Sequence, residues 1–192
     1  MSVNDVFVYD TEEAVQQSKI EDQKKNLLPM VHESHPALRQ PLVEFDFKNP
    51  PVNPTELASA MVDTCKEYHG IGLSANQCGL PFRVFVMGAG EEFVAFFNPK
   101  VIATRGEAHM TEGCLSFPFL GLKITRAKEV DVEYQDFNGI TRTATYVGVS
   151  ARCFLHELDH MNGIVYTDKC KPLALEYGMK KRNKTLKKLR LI

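Results

Sequence analysis

His156-Glu157-Leu158-Asp159-His160 is the stretch of this sequence that decides the fold and the chemistry. Two histidines four positions apart fall on one face of an α-helix, so both imidazoles can reach a single metal ion. The glutamate between them lies beside that ion, where it can take a proton from a bound water. This HExxH pattern therefore predicts a helix that supports metal-assisted hydrolysis of an acyl bond.

The residues on either side of this stretch predict that the helix is largely buried. Cys153-Phe154-Leu155 precedes it and Met161-Asn162-Gly163 follows it, which gives an apolar approach and a glycine stop. Burying two histidines, a glutamate and an aspartate without partners would be costly. The alternative is a chance match on a surface helix, which would leave the histidines without a metal.

A catalytic centre of this kind needs a third protein ligand, and the residues alone leave it open. After His160 the chain offers Asp168 and Glu176 but no histidine, although HExxH metalloproteases usually take a downstream Glu or His. Upstream, Cys114 stands 42 residues before His156, between a glycine and Leu115-Ser116. A free cysteine is usually a small buried hydrophobe, but this setting favours exposure to a site.

Composition indicates one compact domain with tails. The chain has 192 residues, of which 44% are hydrophobic, and a formal charge of −1. No apolar run approaches the roughly 18 residues of a membrane span, and the acidic N-terminus has no signal-peptide pattern. An odd number of scattered cysteines argues against a disulfide framework and favours a reducing cytoplasm. They are Cys65, Cys78, Cys114, Cys153 and Cys170.

Charge is concentrated at the C-terminal end. Seven bases and no acids follow Glu176, which leaves 16 of the 23 basic residues against all 24 acidic ones and a charge of −8 before that point. Such a tail can attract a polyanion, or it can be a solvated helix end. The bases are Lys180, Lys181, Arg182, Lys184, Lys187, Lys188 and Arg190.

The order of elements along the chain follows from caps, breakers and periodicity. Residues 1–28 read as an extension, and the prolines of 29–54 predict an extended arm. Asn53-Pro54-Thr55-Glu56 predicts a helix start, ended by Gly70. The stripe Leu57, Met61, Cys65 and Tyr68 is expected in the core.

Two hairpins are predicted after this helix. In the first, Arg83–Met87 and Phe93–Phe97 flank a glycine-containing turn. In the second, the alternating strand 124–134 is expected to pair antiparallel with 141–147. The helix that carries the two histidines is expected to begin near Val149 or Ser150.

Three segments, in this order, resemble the peptide deformylase family: GIGLSANQ at 70–77, EGCLS at 112–116 and HELDH at 156–160. The stretch His35-Pro36-Ala37-Leu38-Arg39 also resembles that family's N-terminal segment, and the likeness covers roughly residues 29 to 170. It implies a hydrolase that removes the formyl group from N-formylmethionine of nascent peptides. It also implies an α+β fold in which antiparallel sheets pack around the HELDH helix.

The resemblance implies a role for each matching position. Cys114, His156 and His160 match the metal ligands, and Glu157 matches the catalytic acid/base. Gln77 and the backbone N–H of Leu115 match the oxyanion donors, and Gly72 matches a residue whose backbone pairs with the peptide. The implied metal is Fe(II), although a Cys-His-His site also accepts Zn, Ni or Co.

The sequence departs from the family pattern at three places. Ser74 stands where the family mostly has Ala, Asn76 where Pro or Thr is commoner, and Leu155 where Gln often precedes the first histidine. None of these changes removes a ligand or a donor, so they concern rate and inhibitor fit rather than the reaction type.

The remaining expectations concern the substrate, the domains and rival functions. Ile71, Val149 and Cys153 are candidate walls of a pocket for the methionine side chain, with plain core as the alternative. The domain division is a 1–28 extension, a catalytic domain at 29–175 and a basic tail at 176–192, which is a candidate ribosome contact. The rival functions are an HExxH metalloprotease and an inactive ribosome-binding module. Formylated initiation suggests a bacterium, an organelle or a bacterial virus.

Overall fold

Five strands form one antiparallel sheet, and their order across the sheet follows their order along the chain. A computed structural model describes residues 26–191, so most of the 1–28 extension lies outside it. Both predicted hairpins are present, the first between β2 and β3 and the second between β4 and β5. The strands are β1 (Gly72–Ser74), β2 (Val84–Ala89), β3 (Glu92–Cys114), β4 (Phe117–Gln135) and β5 (Thr141–Val147).

The long hairpin of β3 and β4 places the EGCLS segment at its tip. Cys114 is the last residue of β3 and is paired with Phe117, the first residue of β4. Only Leu115 and Ser116 lie between them, so a tight turn presents the cysteine and the following backbone N–H at one point.

Helix α1 (Pro54–Glu67) begins where its cap predicts, because the Asn53 side chain accepts hydrogen bonds from the N–H groups of Thr55 and Glu56. Leu57, Met61 and Cys65 are buried as expected. The prediction for Tyr68 is wrong: it is 49% exposed and lines the cleft described below. Gly70 was predicted to end this helix, but the residue that takes the left-handed conformation after it is His69, with φ 54°.

Helix α2 (Val149–Met161) carries the two histidines and lies in the centre of the fold, as predicted. It packs against β1, β2, β4 and β5, and its Arg152 and His156 side chains reach Glu112 of β3. Phe154 anchors it, with ring-centroid distances of 5.1 Å to Phe85 and 5.5 Å to Phe96. The expected α+β fold, with antiparallel strands around the HELDH helix, is therefore confirmed.

Helix α3 (Pro172–Lys188) packs against β4, so most of the basic tail continues an element of the domain. A Cβ on Gly178 would lie 2.7 Å from Leu122, which shows how closely the helix approaches the strand. The predicted division at 175/176 falls inside α3 and does not coincide with the end of an element.

Residues 26–53 form the predicted arm, which has no α-helix or named strand and buries Leu38, Leu42 and Phe45. The arm is fixed by a hydrogen bond from the N–H of Val31 to the carbonyl of Gln77 and by single β-bridges at Pro41 and Val43. Among the described residues, no helix is long and apolar enough to cross a membrane.

Candidate metal centre and catalytic cleft

Cys114, His156 and His160 meet at one point. One ligand atom from each lies within 4.8 Å of the others, and Cys114 Sγ is 3.4 Å from Nε2 of His160. The hairpin tip supplies the thiol, and consecutive turns of α2 supply the imidazoles. One sulfur and two nitrogen donors are a set that divalent first-row metals bind.

The two histidines have opposite pKa shifts. Burial holds the pKa of His160 well below its usual range, so the ring is neutral at neutral pH. Burial also opposes charge on His156, but hydrogen bonds with Cys114 and Glu112 outweigh it and raise its pKa to about 10.

A buried carboxylate orients the first histidine. Glu112 Oε2 lies 3.1 Å from Nδ1 of His156, which leaves Nε2 of that ring for a metal. Burial opposes the ionised form of Glu112, yet hydrogen bonds with His156 and Arg126 lower its pKa to about 2. The carboxylate is therefore charged at neutral pH.

Two buried arginines balance this carboxylate. Arg126 binds both oxygens of Glu112, at 2.6 and 2.9 Å, and reaches Asp159 at 2.6 Å. Arg152 binds Glu112 as well and donates to the carbonyl of Ala108 at 2.7 Å. This network was not predicted from the sequence, although Arg126 occupies an inward position of the alternating strand β4.

Glu157 is 3% exposed and faces the start of β1. A Cβ on Gly72 would lie 2.5 Å from Glu157 Oε1 and 2.7 Å from the sulfur of Cys153, so only glycine leaves room for this carboxylate. Burial raises the pKa of Glu157 above its ordinary value, against the lowering effects of His156 and a hydrogen bond with Ser74.

Gln77 is aimed at the same point by hydrogen bonds at both ends of its amide. Its Oε1 accepts from the N–H of Ser74 at 2.8 Å. Its Nε2 lies 3.1 Å from Ser116 Oγ and 3.4 Å from Cys114 Sγ. The donor end of the amide therefore faces the candidate metal ligands.

A cleft of about 530 Å³ joins these groups. The candidate pocket walls Ile71, Val149 and Cys153 line it, together with Gly72 and Leu115. Ile71 and Val149 are 51% and 55% exposed, so they are not plain core, whereas Cys153 is buried. Two further aromatic residues that sequence reasoning did not place here also line the cleft. They are Tyr68 and Phe119.

A family model described as polypeptide deformylase matches residues 27–176, which is most of the chain. The chain belongs to the polypeptide deformylase family. It is 37% identical to the peptide deformylase of Thermotoga maritima over 141 residues, or 71% of this chain and 83% of that one. Members remove the formyl group from the N-terminal methionine of nascent peptides, so the chain is an enzyme of this class and its family is metal-dependent.

Solved structures of the family share the fold. The crystal structure of the deformylase from Thermus thermophilus has a TM-score of 0.75 at 31% identity and covers 84% of this chain and 96% of its own. The enzyme from Synechococcus elongatus, solved in complex with actinonin, has a TM-score of 0.74 at 30% identity, with 81% and 86% covered. These matches favour the deformylase reading over the metalloprotease and the inactive module.

Proposed function

We propose that this chain deformylates N-formylmethionyl peptides with Glu157 as the acid/base, Gln77 and the N–H of Leu115 as oxyanion donors, and Cys114, His156 and His160 as metal ligands. One observation carries the proposal: a buried carboxylate, an oriented amide donor and the Cys114 and His156 donors line one cleft, and His160 lies beside them. These are the three functions that hydrolysis of a formyl amide requires.

Each group has a separate task in this mechanism. Cys114, His156 and His160 would hold a divalent metal, which would supply the Lewis acidity that makes water a stronger nucleophile at neutral pH. Glu157 accepts the proton of the attacking water and returns it to the leaving amine. Gln77 Nε2 and the Leu115 N–H donate to the developing oxyanion, and each such donor is worth about 3 kcal/mol. The Gly72 backbone aligns the peptide beside Glu157.

Fe(II) is the metal we propose, with Zn, Ni or Co as substitutes. A thiolate with two imidazoles binds several of these metals without strong selectivity, so the choice depends on supply. The thiolate reduces the net charge on the ion compared with an all-nitrogen site.

An anaerobic deformylation assay with metal analysis of the same sample tests this function. We expect the protein to release formate from a formyl-Met peptide in proportion to its metal content. The control is an N-acetylated peptide of the same sequence, which has no formyl group, and we expect its internal peptide bonds to stay intact. Cleavage of the internal bonds, or no formate from the metal-loaded protein, would contradict the proposal.

We predict a preference for an unbranched apolar first side chain, with Met above all others. Ile71, Val149 and Cys153 offer an apolar wall, and burying an anionic side chain there would be costly. We expect kcat/KM for formyl-Met-Ala-Ser to exceed that for formyl-Asp-Ala-Ser by about 100-fold, or ~3 kcal/mol. Equal kcat/KM values for the two peptides would exclude these residues as the wall of the pocket for the first side chain.

We also propose a cytoplasmic location and a ribosome contact through the basic end of α3. All five cysteines carry free thiols, which suits a reducing compartment. Six of the seven C-terminal bases are exposed. The seventh is Arg182, which is buried and binds Glu33 at 2.5 and 3.0 Å.

Neutralising exposed lysines should weaken ribosome binding without changing the chemistry. In a variant with Lys184, Lys187 and Lys188 replaced by Gln, we expect unchanged turnover of a short peptide and a salt-sensitive loss of co-sedimentation with ribosomes. Arg182 is kept because it stabilises the fold. The matched control replaces Lys48, Lys100 and Lys123, which are also exposed. An equal loss of ribosome binding in both variants would mean that only net charge matters. No loss of binding in either variant would exclude these tail lysines as the ribosome contact.

A further inference from the structure

Ser74 contacts the candidate acid/base directly. Its hydroxyl donates to Glu157 Oε2 at 2.6 Å and lies 3.3 Å from the backbone carbonyl of the same residue. Ser74 is fully buried, so no bulk water competes for this bond. A hydrogen bond from a hydroxyl to a carboxylate at this distance belongs to the short, charge-assisted class.

The same residue holds the candidate oxyanion donor. The backbone N–H of Ser74 donates to Gln77 Oε1 at 2.8 Å, and this bond turns Gln77 Nε2 toward Cys114. Ser74 therefore touches both groups that handle the proton and the oxyanion, one with its side chain and one with its backbone. Only the first contact depends on the side chain.

The two oxygens of Glu157 have different surroundings. Oε2 is held by the Ser74 hydroxyl, whereas Oε1 lies against Gly72, a residue that lines the cleft. One oxygen is thus held by a hydrogen bond, and the other lies beside a glycine of the cleft wall. Locking a side chain that must act within a few tenths of an ångström lowers the entropic cost of reaching the transition state.

We propose that Ser74 is a positioning residue of this enzyme: its hydroxyl fixes the Glu157 carboxylate so that Oε1 is presented to the attacking water. The inference rests on the proposed role of Glu157. The contact depends on the serine, because an alanine, which the family mostly has at this position, has no hydroxyl to donate.

Ser74→Ala removes the hydroxyl and keeps the backbone N–H that orients Gln77. We expect kcat to fall about 10-fold, since a hydrogen bond to a charged group is worth about that factor or more. KM and metal content should stay unchanged, because neither the peptide-binding wall nor a ligand is altered. Ser74→Cys, which keeps the volume but donates weakly, should show a loss of similar size.

A double variant separates positioning from simple packing. In a Glu157→Gln background, single-turnover assays with excess enzyme should show less than a twofold further loss on adding Ser74→Ala, because the carboxylate to be positioned is gone. Thr64→Val is the control, since it also deletes a fully buried hydroxyl, which donates to the Ala60 carbonyl at 2.7 Å within α1. It should lower thermal stability without a change in kcat.

Three results would overturn the positioning role. The first is a wild-type kcat for both Ser74 variants, and the second is the same 10-fold loss in both backgrounds. The third is a loss of metal that accounts for the lower rate. If Glu157→Gln by itself did not reduce turnover, the proposed acid/base role of Glu157 would be contradicted instead. The two failures are therefore distinguishable.

Discussion

Replacing Glu157 by Ala is expected to lower kcat by about 10³-fold while the metal stays bound. The carboxylate lies beside the Cys-His-His set without being needed to complete it. Its burial raises its pKa, which suits a group that must both accept and return a proton. Metal content and turnover of the same purified, anaerobic sample measure the two effects separately.

Glu157→Gln separates loss of the base from creation of a cavity. The amide has nearly the same volume and can still accept a hydrogen bond from Ser74, but it cannot take a proton from water. We expect the same loss of kcat as for the alanine variant, with less loss of thermal stability. Turnover within a few-fold of wild type in either variant would exclude Glu157 as the acid/base.

The sequence predicted the part of the site that depends on local spacing. His156, Glu157 and His160 are brought together by the geometry of one helix, which is fixed within a single turn. The residues alone left the third metal ligand open, and Cys114 was assigned to that role only by resemblance to the family. The reason is that the approach of Cys114 to the helix depends on the long β3–β4 hairpin. No local pattern specifies where the tip of a 23-residue strand will lie relative to a helix.

Contacts between distant elements were the part that could not be predicted. Arg126 and Arg152 look like ordinary charged residues until strand β4 and helix α2 turn both toward Glu112. Tyr68 continued an apolar stripe but falls past the end of α1, where the helical period no longer applies. Arg182 was likewise grouped with the other bases of the C-terminal tail, because its ion pair with Glu33 forms only when α3 packs against the domain.

The second large effect is expected at Glu112, where Gln should lower the free energy of unfolding by about 3–5 kcal/mol. The substitution leaves Arg126 and Arg152 buried without their shared anion, and Arg126 keeps only Asp159 and the Leu155 carbonyl as hydrogen-bond acceptors among the described residues. The loss of metal affinity should be about 10-fold to 100-fold, because a neutral amide replaces the charged acceptor that fixes the ring of His156 through Nδ1.

Urea unfolding of the metal-free proteins measures the first effect without the contribution of metal binding to stability, and competition with a chelator measures the second. Glu129→Gln is the matched control, since Glu129 also binds an arginine, Arg105, but at the surface. There we expect a change below about 1 kcal/mol and unchanged metal affinity. The two substitutions remove the same charge, so net charge cannot explain a difference between them. If Glu112→Gln were as stable as the control and held its metal as tightly, the two buried arginines would not depend on this carboxylate. His156 would then be oriented by α2 alone.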